Sequence, residues 1–196
     1  MQKAIKIFFI LFFIFFGQIF GGEIKEPYKN MSISLLGGGS FPLIGGGAYG
    51  GGVRFEWAFL PALSGLVHAD YREIYYGGFS ESSQFRTMSG GLGARFYFSQ
   101  LFFRQNLMSG FYIESLLGTG LAFEQPGLLR GVIQSRNQGL TIAWFNSIGY
   151  NHAFDFGLVL GGGIGFSSRS FFEPIKQKGL IVHPNPELLL QVGYSF

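Results

Sequence analysis

The 196 residues include 14 Lys+Arg against 11 Asp+Glu, no Cys, 32 Gly and 25 Phe, and 13% are charged, about half the usual share of about 25%. That composition excludes a disordered chain, which would be charged and poor in aromatics. The scattered, nearly balanced charges argue against a nucleic-acid partner. The lack of Cys removes any disulfide framework, thiolate metal site or cysteine nucleophile.

The chain opens with Lys3 and Lys6, then an unbroken apolar run from Ile7 to Phe16, then Gly17 to Gly22. A basic start, a short apolar stretch and small residues form the secretory-leader pattern. The run is too short to span a bilayer, which takes about 20 apolar residues. Residues 1–22 are therefore expected to be a signal peptide, cleaved somewhere between Gly17 and Glu23. A short segment, 23–29, precedes the domain proper, 30–196. With no Cys after the run, a lipoprotein anchor is not expected.

Beyond the leader the periodicity is two, and glycines recur too often for helices, at about 1 kcal/mol each relative to Ala. Eight strands are predicted, over 30–40, 46–59, 64–75, 86–98, 110–123, 140–150, 155–168 and 186–196. In the second, Tyr49, Val53, Phe55, Trp57 and Phe59 share one face, while Ala48, Gly50, Gly52, Arg54, Glu56 and Ala58 share the other. The fourth sets Met88, Leu92, Ala94, Phe96 and Phe98 against Ser89, Gly91, Gly93, Arg95 and Tyr97. In the fifth, Phe111, Ile113, Leu117 and Leu121 oppose Tyr112, Glu114, Gly118 and Gly120. The sixth is the poorest, because Asn146 interrupts Ile142, Trp144, Ile148 and Tyr150. The seventh and eighth alternate in the same way, with Arg169 and Glu187 on their polar faces.

A soluble sandwich would turn richly charged faces to water. Here the polar faces are mostly Gly, Ser and Ala with one or two charges each, which suits the narrow bore of an eight-stranded barrel. The charges assigned to that bore are Arg54, Arg72, Arg95 and Arg169 against Glu56, Asp70, Glu114 and Glu187, with His68 beside them. The expected fold is all-β: an eight-stranded antiparallel up-and-down transmembrane barrel. The pairs Arg95–Glu114 and Arg169–Glu187, on adjacent strands, are expected to form ion pairs or a shared network. Outward aromatics sort into two heights: Trp57, Phe59, Phe96, Phe111, Tyr150 and Phe156 at one rim, Tyr49, Tyr71, Phe123 and Phe166 toward the other. Two such girdles mark the interfaces of a membrane barrel.

The last nine residues, Leu188 to Phe196, alternate and end in Gly193-Tyr194-Ser195-Phe196. This tail resembles the closing strand of bacterial outer-membrane barrels, and with the leader and eight strands the chain resembles the small OmpA/OmpX-type barrels from about Asn30 to Phe196. The resemblance implies an outer-membrane location and recognition of Gly193, Tyr194 and Phe196 by the barrel-assembly machinery. With Phe196 as the last residue, a peptidoglycan-binding domain of the OmpA kind is not expected. The connection around Ser99–Ser109 is longer than the family's usual periplasmic turn.

Candidate chemistry is thin. Gly45 to Gly50 fits G-x-G-x-x-G, but a strand rather than a helix follows, so a dinucleotide site is not expected. His68, His152 and His183 are too dispersed to suggest a metal, and no cofactor is expected. A lipid A deacylase would carry His-x-Ser on a late strand; here Asp70, Phe154 and Asn185 stand two past each His. The expectation is a monomeric, non-enzymatic barrel with a structural or surface-interaction role, in contact with outer-membrane lipid and lipopolysaccharide. A lipid-modifying enzyme and a narrow channel are the alternatives. The upper connections are placed at 77–84, 124–138 and 171–184. The second, with Arg130 and Arg136 among apolar residues, is the candidate surface-contact loop.

Overall fold

The computed structural model describes residues 29–40, 46–77, 82–102, 107–125, 138–172, 179–182 and 186–196. The expected leader, and Arg130 and Arg136 of the candidate loop, lie outside them. The strands are β1 (Met31–Ser40), β2 (Gly46–Leu60), β3 (Leu63–Gly77), β4 (Ser82–Tyr97), β5 (Gly110–Gln125), β6 (Gln138–Ala153), β7 (Leu158–Phe171), β8 (Gly179–Val182) and β9 (Glu187–Ser195). Each pairs antiparallel with the next through β7. β8 and β9 both pair with β7, along its upper and lower parts, and so share one position in the wall. β9 then pairs with β1 over Ser32↔Ser195 to Ser40↔Glu187, which closes the sheet into an eight-position up-and-down barrel.

The two-residue period decides what each face carries. On β2, Val53, Phe55 and Trp57 are exposed while Arg54 and Glu56 are buried. The same inversion recurs on β5, where Phe111, Ile113 and Leu117 are exposed and Tyr112, Glu114 and Leu116 are buried. The bore is filled in layers. Ala58, Tyr97, Met108 and Tyr112 pack together toward the end where the chain termini meet, the lower end; Ala48, Ile74, Phe85, Ala122 and Phe171 pack toward the other. Leu66, Leu116 and Phe145 form a third apolar cluster between them, joined by Leu189.

Several boundaries differ from the sequence expectation. The seventh strand starts at Leu158, not 155, because Asp155-Phe156-Gly157 is a tight turn: Gly157 has φ +106° and donates its N–H to the Phe154 carbonyl at 2.8 Å. The third upper connection is interrupted by β8, whose Gly-Leu-Ile-Val run is separated from β9 by His183-Pro184-Asn185-Pro186 and so does not read as part of that strand. Phe98 leaves the fourth strand for a 3₁₀ turn, Phe98–Leu101. The long lower connection has a structural use: it returns Met108, at φ 60°, into the buried cluster beneath Tyr97 and Tyr112.

Gly157→Ala is expected to weaken the barrel by at least about 1–3 kcal/mol, the usual cost of forcing a side chain into the left-handed region. A Cβ there would also stand 2.6 Å from the Tyr194 ring and 2.9 Å from the Ser195 carbonyl oxygen. Urea titration of the folded, gel-shifted form in detergent measures it.

Candidate functional site

The polar chemistry of this chain is concentrated inside the barrel, in two networks stacked along the bore. The lower one is centred on Arg95, which the alternation of β4 turns inward and which is fully buried. Its Nη2 and Nε donate to Glu114 Oε2 at 2.6 and 2.9 Å, and its Nη1 to Glu56 Oε2 at 2.8 Å. Arg54 reaches the same Glu114 through both terminal nitrogens, at 3.1 and 3.2 Å, and Ser147 Oγ adds a third donor at 2.8 Å. Tyr97 donates to Glu56 at 2.8 Å, and the Tyr112 ring lies 4.0 Å from the Arg95 guanidinium carbon. Gln191 Oε1 accepts from Arg95 at 3.2 Å, while its amide nitrogen donates to Ser34 at 3.0 Å, tying the network to the β1–β9 seam.

The upper network gathers Asp70, Arg72, Arg169 and Glu187. Arg72 bonds Asp70 at 2.8 Å and also pairs with Glu187, which accepts from Ser167 Oγ at 2.5 Å. Arg169 reaches Asp70 at 3.4 Å and Thr87 at 3.2 Å, and Ser89 donates to Asp70 as well. His68 Nε2 lies 4.0 Å from Asp70 Oδ1. Where the networks approach each other, a cavity of about 40 Å³ is lined by Arg54, His68, Asp70, Arg72 and Phe145. It is far below the roughly 300–1,000 Å³ of ordinary small-molecule sites.

All nine charged or titratable residues assigned to the bore from the sequence therefore face inward, but their pairing follows geometry across the bore. Arg54 and Glu56, neighbours on one face of β2, pair with Glu114 and Arg95 respectively. Arg95 and Glu114 do meet across β4–β5, where they are register partners. Tyr97, Ser147, Asn151 and Gln191 are network members that charge counting overlooks, although each has the inward parity of its strand.

Gly193, Tyr194 and Phe196 stand at the closing seam. Gly193 is the register partner of Ser34, Tyr194 of Ile33, and the Phe196 backbone exchanges hydrogen bonds with Met31 at 2.9 and 3.2 Å. Tyr194 and Phe196 project outward, about half exposed, with Lys29 Nζ 5.7 Å above the Tyr194 ring. His152 is also outside, edge-on to Phe154 at 4.4 Å, and His183 lies outside the described residues.

The outer face also carries a charged pair, Glu73 and Arg86. Glu73, at the upper end of β3, accepts from Tyr49 at 2.5 Å, Tyr71 at 2.8 Å, Tyr75 at 2.9 Å, Gln84 at 3.3 Å and Arg86 at 3.1 Å. The outward parity of 71, 73 and 75, with Tyr49 in register with Glu73, was the available signal.

The fold and site together define a closed β-barrel with an apolar exterior and a filled, charge-paired interior. Comparison of the sequence with protein-family models and with curated proteins gives no match. Among solved structures it is similar to Neisserial surface protein A (NspA), at 15% identity over 85% of this chain and 96% of that one, with a TM-score of 0.47. The outer membrane protein OprG from Pseudomonas aeruginosa gives 11% identity over 89% and 99%, TM-score 0.45. The N-terminal β-barrel domain of Pseudomonas aeruginosa OprF gives 14% over 87% and 100%, TM-score 0.35.

Removing one partner from a buried ion pair costs about 3–5 kcal/mol, because the other charge is left unpaired. Arg95→Met is expected to fall in that range, since it strips two carboxylates at once. Arg86→Met, at a half-exposed pair with Glu73, is expected to cost no more than about 1 kcal/mol. Parallel unfolding titrations of the two variants test the contrast.

Proposed function

We propose that this chain is an integral β-barrel of a bacterial outer membrane with a structural or surface-interaction role. The observation that carries this reading is the inversion of the two faces. Leu35, Val53, Leu92, Leu117, Ile148 and Leu190 are exposed around the wall at mid-height, while Arg54, Arg95, Glu114 and Glu187 are buried inside it. Water would reject the first set, and hydrocarbon accepts it. Outward Trp57, Phe98, Phe111, Tyr150 and Tyr194 lie near the rim where the termini meet, and Tyr49, Tyr71 and Tyr75 near the other, at the two levels where amphipathic rings fit a bilayer's interfaces.

With the termini at one rim, the opposite rim and its connections face the cell exterior. The filled bore disfavours the channel reading. Surface contact falls to the connections, above all 126–137 with Arg130 and Arg136, which offer two cations to the phosphates of lipopolysaccharide or to an acidic surface polymer. The exposed Tyr194 and Phe196 at the seam supply the closing strand's signal to the barrel-assembly machinery.

The test is membrane fractionation with a heat-modifiability gel. The expected result is outer-membrane recovery and a band that migrates faster unboiled than boiled. Recovery in a soluble fraction, or identical migration, overturns the reading. In planar bilayers no conductance step of open-porin size is expected. Arg130→Ala with Arg136→Ala is expected to keep the band shift while lowering retention on immobilised lipopolysaccharide. Unchanged retention removes the loop from the proposal.

A further inference from the structure

Among the described residues, Asn146 is a polar residue of the outer wall that the membrane reading leaves unexplained. Asn146 is exposed on β6 and its side-chain amide makes no hydrogen bond to any described residue. It stands four residues from Tyr150 of the lower girdle. At about 3.3 Å per residue on a strand tilted about 40°, that is about 10 Å into an apolar band about 25 Å tall. No water reaches that depth, and an amide left without partners there costs several kcal/mol. Trp144 beside it does not have this problem, because its indole N–H donates to Ser115 Oγ at 2.8 Å.

The surroundings of Asn146 are shaped as well as polar. Strand register places Ala94, Ser115 and Asn146 in one row across β4, β5 and β6. The neighbouring row on one side is Phe96, Ile113, Ile148 and Ile164, and on the other Leu92, Leu117 and Trp144. Small side chains between two bulky rows make a valley, and a crevice of about 450 Å³ lies along it. An acyl chain fits such a valley but offers nothing to an amide.

We propose that this valley is the interface of a homodimer in the membrane, with the Asn146 side chains of two copies bonded to each other. The chemistry selects that occupant. A two-fold axis along the membrane normal keeps both copies in the bilayer with each residue at its own depth, and an axis beside this valley brings Asn146 to Asn146 of the second copy. An amide is self-complementary: each carbonyl accepts an N–H from the other, which satisfies both groups with two hydrogen bonds. Side chains of the flanking rows then pack around the Asn146 pair, replacing lipid contacts by close packing, the driving force that remains inside a bilayer. This rests on the membrane reading above and replaces the expected monomer with a dimer.

The chain has no cysteine, so single-cysteine variants report the interface directly. Asn146→Cys and Ser115→Cys are compared in native membranes with Val53→Cys, which faces outward from β2 on the far side of the wall. Asn146→Cys is expected to form a disulfide-linked dimer under mild oxidation at least about tenfold faster than Val53→Cys, and Ser115→Cys to form one with a short bifunctional thiol reagent. Asn146→Leu is expected to weaken dimerisation about tenfold, as loss of two membrane hydrogen bonds predicts, measured by energy transfer between labelled copies in liposomes. The band shift on unboiled gels is read for every variant. If the shift is present and neither cysteine in the valley links faster than Val53→Cys, or if Asn146→Leu dimerises like the parent, the interface is refuted and the crevice holds lipid. If the parent shows no band shift, it is the membrane reading that fails. Should Asn146→Cys not fold, Ser115→Cys alone decides.

Discussion

Closing a sheet of eight strands fixes how much room its interior has, and that room is a single layer of side chains from opposite walls. Inward positions are then forced to meet across the bore. A guanidinium in such a space loses its hydration, and the loss is tolerable only if carboxylates and neutral acceptors replace it with good geometry. Arg95 meets that demand, with Glu114, Glu56 and Gln191 as acceptors and Tyr112 against its face. Arg72 meets it with Asp70 and Glu187, contributed by β3 and β9. Because Arg95–Glu56, Arg54–Glu114, Arg72–Glu187 and Arg169–Asp70 join strands that are not neighbours, the networks act as cross-braces between walls that the backbone ladder links only around the rim.

The braces need space, and the glycines supply it. Gly50 and Gly52 of β2 are register partners of Arg72 and Asp70. A Cβ at Gly52 would come 2.9 Å from the Asp70 Cα and 3.0 Å from its Cβ, so a larger residue there would displace the carboxylate that holds Arg72 and Arg169. At these two positions a long polar side chain on one strand is matched by a bare backbone on the next. The apolar clusters above and below, Phe85 with Phe171 and Tyr97 with Tyr112, close the ends of the same packed column.

Much of this was legible in the sequence because a period of two leaves little choice. Once Val53 and Phe55 are placed outside, Arg54 and Glu56 are inside, and the same parity assigns Arg95, Glu114, Arg169 and Glu187. Partner identity was legible only in part: Arg95 meets Glu114 across β4–β5 as the strand order suggests, but the closed wall also brings Arg54 to Glu114 and Arg95 to Glu56. Pairing across a bore depends on strand tilt and stagger, which hydropathy does not encode. The turn at Asp155-Phe156-Gly157 was hidden by its own aromatic, since Phe156 keeps the outward parity of Leu158 and Leu160. β8 was hidden by the Pro184 and Pro186 interruption. The role of Met108 depends on a left-handed backbone in a connection that carries no periodic signal.

Two of the outer face's exceptions to its apolar rule, Glu73 and Asn146, differ in what surrounds them. Glu73 sits among girdle tyrosines, and five donors from Tyr49, Tyr71, Tyr75, Gln84 and Arg86 surround its carboxylate, so the wall itself neutralises the intrusion near the interface. Asn146 is deeper, and its row neighbours are Ser115, whose hydroxyl accepts from Trp144 and makes no hydrogen bond to Asn146, and Phe166, whose phenyl ring has no acceptor of comparable strength. A barrel that brackets one outward polar group with five partners, and holds another between two bulky rows with none among the described residues, does not treat the polar groups of its outer face alike. The physical difference is whether the partner can come from the same wall. For Glu73, adjacent strands deliver it; for Asn146, no outward neighbour among the described residues does, and the proposed second copy would bring the missing hydrogen bonds at the same depth.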